Sequence, residues 1–572
     1  MAPVKYIFVN SQKEKAIELK DKLDAFKDKF DRDLLMEIQI VQTKATEKKE
    51  LENLVRALGE NRLPLGKPCM EGTRTAILQE IEDNIKNVNG PNMIWIGGYP
   101  GVGKSALAAS IANRLEDQKQ QVISFRFDRT KKTITTKALW CAVACDLARL
   151  YSSLRPHLAR GIQGHSSSDI DRLFKSLIEE PLSLLDDDVT RKELPVIVID
   201  ALDECGGLRR DASEMDDFEG LMRTLQRWVQ VDHLKKFKLV ITSRPEDFIT
   251  LPDPISIHEI PSGHRVKPDD SISNDIRVFL KSRLDDMKME PAWIAKALDF
   301  LVPGAAGIFI WATTVANFLK RDPERRFAML EKDDRTELDG LHSLYSTIIK
   351  ASFGPDLREE ETRVVVSVIG AMVFSKEPLD DNALIMLPEV KILGSDVNNL
   401  GLIRKGLMSV IDPGPILHFH HRSFEDFLLS LSFRQQHPEL VDIQDRVYHE
   451  HQLTVLCLKT LVSPKLHFNM CSLESSIIKN TQVTAKTIIP PLVSYSCQYW
   501  ADHLVNTTSD KTLMEAVKFV MDEKLLFWLE AMSLLGKTYE ATLILRMALG
   551  WKVCLQFIFR NKSDVGCPDT QP

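Results

Sequence analysis

The sequence predicts an α/β fold, a parallel sheet covered by helices, followed by helical and winged-helix-like regions. Three observations carry this reading. Short apolar strands alternate with amphipathic helices between residues 93 and 242. Gly98-Tyr99-Pro100-Gly101-Val102-Gly103-Lys104-Ser105 fits the pattern G-x-x-x-x-G-K-[ST] at every fixed position. Beyond Asp275 helical periodicity takes over, interrupted by one hairpin pattern.

The loop has the context its chemistry requires. Met93–Ile96 reads as a buried strand, and Ser105–Leu115 as a helix with Leu107, Ile111 and Leu115 on one face. Glycines let backbone N–H groups close around a phosphate, and the helix N-terminus adds its positive dipole end. Lys104 is placed to reach the β- and γ-phosphates, and Ser105 to ligate Mg²⁺. The expected nucleotide-binding set is Gly98, Pro100, Gly101, Val102, Gly103, Lys104, Ser105 and Ala106. The fold class is therefore a multidomain phosphate-loop NTPase, with ATP/ADP or GTP and Mg²⁺ as ligands.

Composition narrows the class. A net charge of −7 gives no reason to expect nucleic acid or an anionic membrane as partner. The 9 cysteines are scattered and never form C-x-x-C pairs, which argues against disulfides or a zinc finger and for a reducing compartment. The longest apolar runs, 307–319 and 364–374, are too short to span a bilayer, and no signal peptide is legible. A cytoplasmic protein is expected.

In chain order, residues 1–66 form a helical lead-in, with Leu19, Leu23, Phe26, Phe30 and Leu34 on one face. Residues 67–252 form the phosphate-loop core. Its expected elements are a helix bearing Ile77, Ile81 and Ile85, strands at 121–127, 195–199 and 238–242, and helices at 137–150, 170–178 and 218–231. Ser166-Ser167-Ser168 is a loop. Residues 253–330 hold a polar linker, 261–275, then helices at 276–284, 293–301 and 308–319, with a break at Pro303-Gly304. Residues 331–432 read as winged-helix-like: helices at 344–353 and 364–374, a hairpin joining 409–411 to 416–419, and a helix opened by a capping-box pattern at Ser423. Residues 433–560 are helical, and 561–572 a disordered tail.

Asp200 ends the 195–199 strand, where a carboxylate can hold Mg²⁺. Asp203 and Glu204 are both candidates to orient the attacking water. Arg244, ending the next strand, can touch a γ-phosphate. His418 and His420 share a strand face, which admits a metal pair, but no cysteine or carboxylate cluster accompanies them; a packing or capping histidine is the plainer reading.

Asp200-Ala201-Leu202-Asp203-Glu204 resembles the signature of NACHT-type NTPases, in the STAND branch of phosphate-loop proteins. The flanking text is similar to the fungal, nephrocystin-like group: Cys69 with Gly72-Thr73-Arg74, Leu173–Ile178, Ile241–Pro245, Ala306–Ala312 and His421–Leu428. The resemblance implies a NOD-like-receptor-type switch that holds ADP when closed, exchanges it for ATP, opens and oligomerises. It further implies roles in fungal non-self recognition or programmed cell death, and an unidentified protein effector or sensor. By position, Thr73 and Arg74 would lie near the adenine, Arg244 would act as sensor, and His421 would meet the ADP β-phosphate. This chain departs from its relatives at Gly307-Ile308-Phe309-Ile310, where many carry Gly-Leu-Pro-Leu against the base. It also ends where a partner-sensing repeat array usually follows.

An energy-transducing AAA-type ATPase is the enzymatic rival; Ala201 stands where such enzymes carry an acid. A scaffold that keeps nucleotide for structure is the third reading, opposed by intact Lys104, Ser105 and Asp200. The leading reading is a slow NTPase serving as a switch.

Overall fold

The computed structural model describes residues 62–563, apart from 129–133, 164–168, 186–193, 206–211, 246–248, 262–269, 333–339, 355–356, 391–396, 473–488, 509–510 and positions 389, 413 and 415, together with Lys49, Glu52 and Val55. The lead-in helices, the Ser166–Ser168 loop and the tail beyond Ser563 lie outside the described residues. The chain divides into two compact units. One comprises residues 1–67, 80–96 and 108–258, the other 68–79, 97–107 and 259–572.

A five-stranded sheet is formed by β1 (Met93–Gly98), β2 (Val122–Arg126), β3 (Val196–Asp200), β4 (Lys238–Ser243) and β5 (Ser256–Ile260), in the order β2-β3-β4-β1-β5, with most of its residues in the first unit. β2, β3 and β4 pair in parallel, with Val196 opposite both Val122 and Lys238. Every residue of β1, β3 and β4 is buried, which is why these strands read as unbroken apolar runs. β5 was not anticipated. It lies at the sheet edge, and its Ser-Ile-His-Glu-Ile sequence carries too few apolar residues to show a strand signal.

The helices of this part are α1 (Thr75–Lys86), α2 (Lys104–Asp117), α3 (Thr136–Leu150) and α4 (Ala212–Gln230). Thr135 starts α3 by accepting the Ala138 N–H at 3.2 Å. The core under α3 is aromatic. Trp140 stacks on Trp228, meets Phe174 edge-on, and donates its indole N–H to Thr224 Oγ1 at 3.2 Å. The helix expected over 170–178 is α-helical to Phe174 and then widens into a π turn, Lys175–Glu179.

The second unit is helical, and its members include α5 (Asp270–Asp285), α6 (Pro291–Ala305), α7 (Phe309–Leu319), α8 (Pro323–Lys332), α9 (Gly340–Ser352), α10 (Glu359–Phe374), α11 (Arg422–Leu428), α12 (Arg446–Val462), α13 (Pro491–Leu504) and α14 (Thr538–Ser563). Three sequence expectations change here. The 261–275 linker is shorter than expected, because α5 starts at Asp270 and buries Ile272 one turn before Ile276. Pro303 does not break α6, which runs to Ala305. Pro303 is exposed, and the turn falls on left-handed Ala306 and Gly307. Among the described residues of the expected hairpin, Ile411 forms an antiparallel bridge with Phe419, while Ile416 bridges Asp380.

Candidate nucleotide site

β1 delivers the chain to Gly98, and α2 begins at Lys104. Between them Gly101 (φ 81°) and Gly103 (φ 99°) take backbone conformations that side chains disfavour. Gly101 has a second reason to be glycine: a Cβ there would overlap the Ile310 side chain. Lys104 Nζ donates to the carbonyls of Gly98 at 2.6 Å and Tyr99 at 3.1 Å, so the lysine lies across its own loop. Pro100 and Val102 are the loop's remaining members, and Ser105 and Ala106 follow within the first turn of α2.

The helical segment supports this loop from its outer side. The Ile310 N–H donates to the Gly101 carbonyl at 3.0 Å. Arg74, buried and left-handed (φ 57°), donates from Nη2 to the Val102 carbonyl at 2.9 Å. Its guanidinium stands 4.8 Å from the centre of the Phe309 ring, and its own N–H is accepted by Asp275 at 3.0 Å. Thr73 donates its hydroxyl to the Met70 carbonyl at 2.7 Å. Thr73 and Arg74 are thus placed by hydrogen bonds to backbone.

The acids gather at the carboxyl ends of β3 and β4. Asp200 is fully buried. Its Oδ1 accepts the Thr242 hydroxyl at 2.6 Å, and Thr242 in turn accepts the Ala201 N–H at 3.0 Å. Among the described residues Asp200 Oδ2 has no hydrogen-bond partner; Arg126 Nε lies 3.7 Å away, an ion pair without a hydrogen bond. A buried carboxylate oxygen left open this way fits the single-carboxylate mode in which Mg²⁺ is bound beside phosphates. Among the described residues no group of three or more His, Cys, Asp or Glu that could hold a metal ion is found.

Ala201 is left-handed (φ 58°), at a cost of roughly 1–2 kcal/mol for a residue with a Cβ. That turn carries the chain into the short 3₁₀ segment Leu202–Glu204. Asp203 is engaged by Arg244 twice: its Oδ1 accepts the Arg244 N–H at 3.0 Å, and its Oδ2 pairs with Nε at 3.2 Å. Glu204 is half-buried on the same turn.

His421, not Ser423, caps α11: its Nδ1 accepts the Ser423 N–H at 3.1 Å and meets Ser423 Oγ at 2.7 Å. A ring that accepts at Nδ1 carries its proton on Nε2. Ser423 Oγ also lies 2.7 Å from the Tyr345 hydroxyl. His418 lies on the surface, 3.6 Å from Asp412.

Sequence reasoning passed over Thr242 and Arg126 as partners of Asp200. Their signal is strand register, with Arg126 opposite Asp200 and Ile199 opposite Ile241, and register appears only once the strand order is known.

The sheet and the glycine-rich loop entering α2 define a phosphate-loop NTPase fold. Residues 72–244 match the family model for the N-terminal region of nephrocystin 3. The match spans less than half of the chain. No curated protein matches the chain. Among solved structures, a STAND protein with a tetratricopeptide repeat sensor from Pyrococcus horikoshii is 16% identical, with a TM-score of 0.35 over 86% of this chain and 67% of that one. A Walker-type ATPase of Pyrococcus abyssi is 12% identical, with a TM-score of 0.30 over 64% and 98%. The ORC2 protein of Aeropyrum pernix, solved in ADPNP–ADP complexes, is 13% identical, with a TM-score of 0.29 over 69% and 98%. Among the described residues no helix is long and apolar enough to cross a membrane.

Proposed function

We propose that this chain is a nucleotide-operated switch of the NACHT type, closed with ADP, open with ATP, and reset by slow Mg²⁺-dependent hydrolysis. The observation that carries the reading is the phosphate loop itself, a complete G-x-x-x-x-G-K-S turn between a buried strand and a helix, with Gly101 and Gly103 at positive φ. Lys104 contributes the cation for the β- and γ-phosphates, and Ser105 and Asp200 are each, by residue type and place in the motif, candidate ligands of Mg²⁺. Bound there, the ion would neutralise phosphate charge.

Two roles left open between the outer acids separate on this reading. Asp203 spends both oxygens on Arg244 and so orients the sensor arginine, which leaves the water to Glu204. His421 presents an Nε2–H, the donor a β-phosphate contact needs, while Nδ1 caps α11. Self-oligomerisation with ATP, a protein effector or sensor, a cytoplasmic setting, and a role in fungal non-self recognition or cell death complete the proposal.

The test is nucleotide content and oligomer size of the purified chain, wild type against His421→Asn. Asparagine keeps an N-cap acceptor but loses the Nε2 donor. A hydrogen bond to a charged group is worth about 1.5–3 kcal/mol, so the open-to-closed ratio should rise roughly ten- to a hundredfold. ADP should be lost and larger species should form with ATP. Equal ADP retention in both proteins would sink the latch. Glu204→Gln should slow phosphate release and spare binding; unchanged release returns the water to another group.

A further inference from the structure

The outer side of the phosphate loop holds two carbonyls in place. Ile310 N–H takes the Gly101 oxygen at 3.0 Å, and Arg74 Nη2 takes the Val102 oxygen at 2.9 Å. Peptide groups are planar and trans, so the C=O of one residue and the N–H of the next point in opposite directions. Fixing the Gly101 carbonyl outward therefore turns the Val102 N–H inward, where it lies 3.5 Å from the Tyr99 carbonyl across the loop. Fixing the Val102 carbonyl outward turns the Gly103 N–H inward in the same way. The Val102 N–H is taken by Tyr99 within the loop, and the Gly103 N–H is the kind of backbone donor a phosphate loop offers to its ligand.

Restraint is needed here because Gly101 and Gly103 are the residues freest to let the intervening peptides rotate. The Arg74 anchor is itself held from three sides. Phe309 lies 4.8 Å under the guanidinium, Asp275 accepts the Arg74 N–H at 3.0 Å, and the residue is 5% exposed. We propose that Arg74 is a positioning residue for phosphate binding: seated on Phe309, it holds the Val102–Gly103 peptide so that the Gly103 N–H faces the phosphate. The inference rests on the nucleotide reading above and deepens it. It makes the first turn of α7 part of the support of the phosphate site, through the side chain of Phe309 and the N–H of Ile310.

The experiment titrates the full chain with Mg-ATP and with inorganic tripolyphosphate, which has no base. Arg74→Met keeps an apolar stem over Phe309 and removes the donor. It should weaken both probes by the same factor, about tenfold, the worth of one hydrogen bond to a charged donor. Phe309→Leu, which leaves the donor but not its platform, should weaken both by a smaller common factor. If ATP weakens while tripolyphosphate does not, Arg74 reads the base and the positioning role is wrong. If the melting temperature falls and both affinities stay, Arg74 only holds the fold, and the role is again wrong. Should Arg74→Met not fold, Arg74→Gln is judged by the same two affinities. Lys104→Ala is the control: a wild type that binds neither probe better than this variant ends the nucleotide reading itself, a failure distinct from unchanged binding in Arg74→Met alone.

Discussion

Asp200 in the sheet unit and Glu450 in the helical unit are both buried carboxylates, with side-chain exposures of 0% and 1%, yet their surroundings are opposite. Glu450 on α12 is fully partnered. Its Oε2 accepts His503 Nδ1–H at 2.6 Å, and its Oε1 lies 3.6 Å from Lys376 Nζ and 3.5 Å from Arg446 Nη2. His503 Nε2 meets the Tyr495 hydroxyl at 2.8 Å, and that hydroxyl accepts the Lys376 N–H at 3.2 Å. Asp200 keeps one oxygen bonded to Thr242 and the other without a hydrogen bond. A buried acid with every lone pair answered ties helices together; one with an open oxygen is kept at a cost and is shaped for a ligand. Backbone strain follows the same division, since left-handed Ala201 adjoins Asp200 while Glu450 lies inside a regular helix.

The contrast is broken most directly at Glu450. Glu450→Ala leaves Lys376 and His503 without their acid, and removing one partner from a buried ionic cluster costs about 3–5 kcal/mol. Thermal unfolding followed by circular dichroism should shift down sharply, with ATP affinity of the folded fraction unchanged. A stable variant would make the cluster ornamental.

Lys104→Ala should act in the reverse sense. Losing charge-assisted bonds worth about 1.5–3 kcal/mol in total should weaken Mg-ATP binding roughly a hundredfold and leave stability almost untouched. Calorimetric titration checks it, and unchanged affinity ends the phosphate-loop assignment.

Asp200→Asn sharpens the comparison further. Neutralising a buried charge that has one of its two oxygens without a hydrogen bond among the described residues should hold or raise the melting temperature, while the gain in affinity due to Mg²⁺ falls about tenfold. A destabilised Asn variant would show that the Arg126 pairing outweighs the open oxygen, and the two acids would no longer differ in kind.

The smallest effect is on pH. Burial holds His503 below its usual pKa of 6.5, against the opposing pull of Glu450. A histidine depressed in the fold takes its proton more readily when unfolded, so its contribution is present above about pH 6.5 and is lost as pH falls toward the folded pKa. Stability should therefore drop between pH 7 and 5 by up to about 1.4 kcal/mol per unit from this residue, and His503→Gln should flatten the slope. An identical acid slope in both proteins would exclude His503 as its source.

The sequence alone determined the parts of this protein that local chemistry dictates. The glycine spacing before Lys104-Ser105, the apolar strands ending in Asp200 and Thr242, and the helical periods of α3, α7 and α10 can each be read within a few residues, because backbone conformation and burial leave a periodic trace. The cap of α11 was legible as a signal but assigned to Ser423, since a histidine acting as cap through Nδ1 has no sequence signature. Edge strand β5 left too weak a pattern to see. What only the tertiary structure decided is which distant residues meet. Arg74 lies 28 positions from Val102 and 201 from Asp275, Arg244 closes on Asp203 across 41, and Glu450 finds His503 across 53. Such contacts depend on strand order and helix packing, and the residue types alone carry no distance information; that is why Asp203 and Glu204 were indistinguishable in the sequence and acquire different surroundings only in the fold.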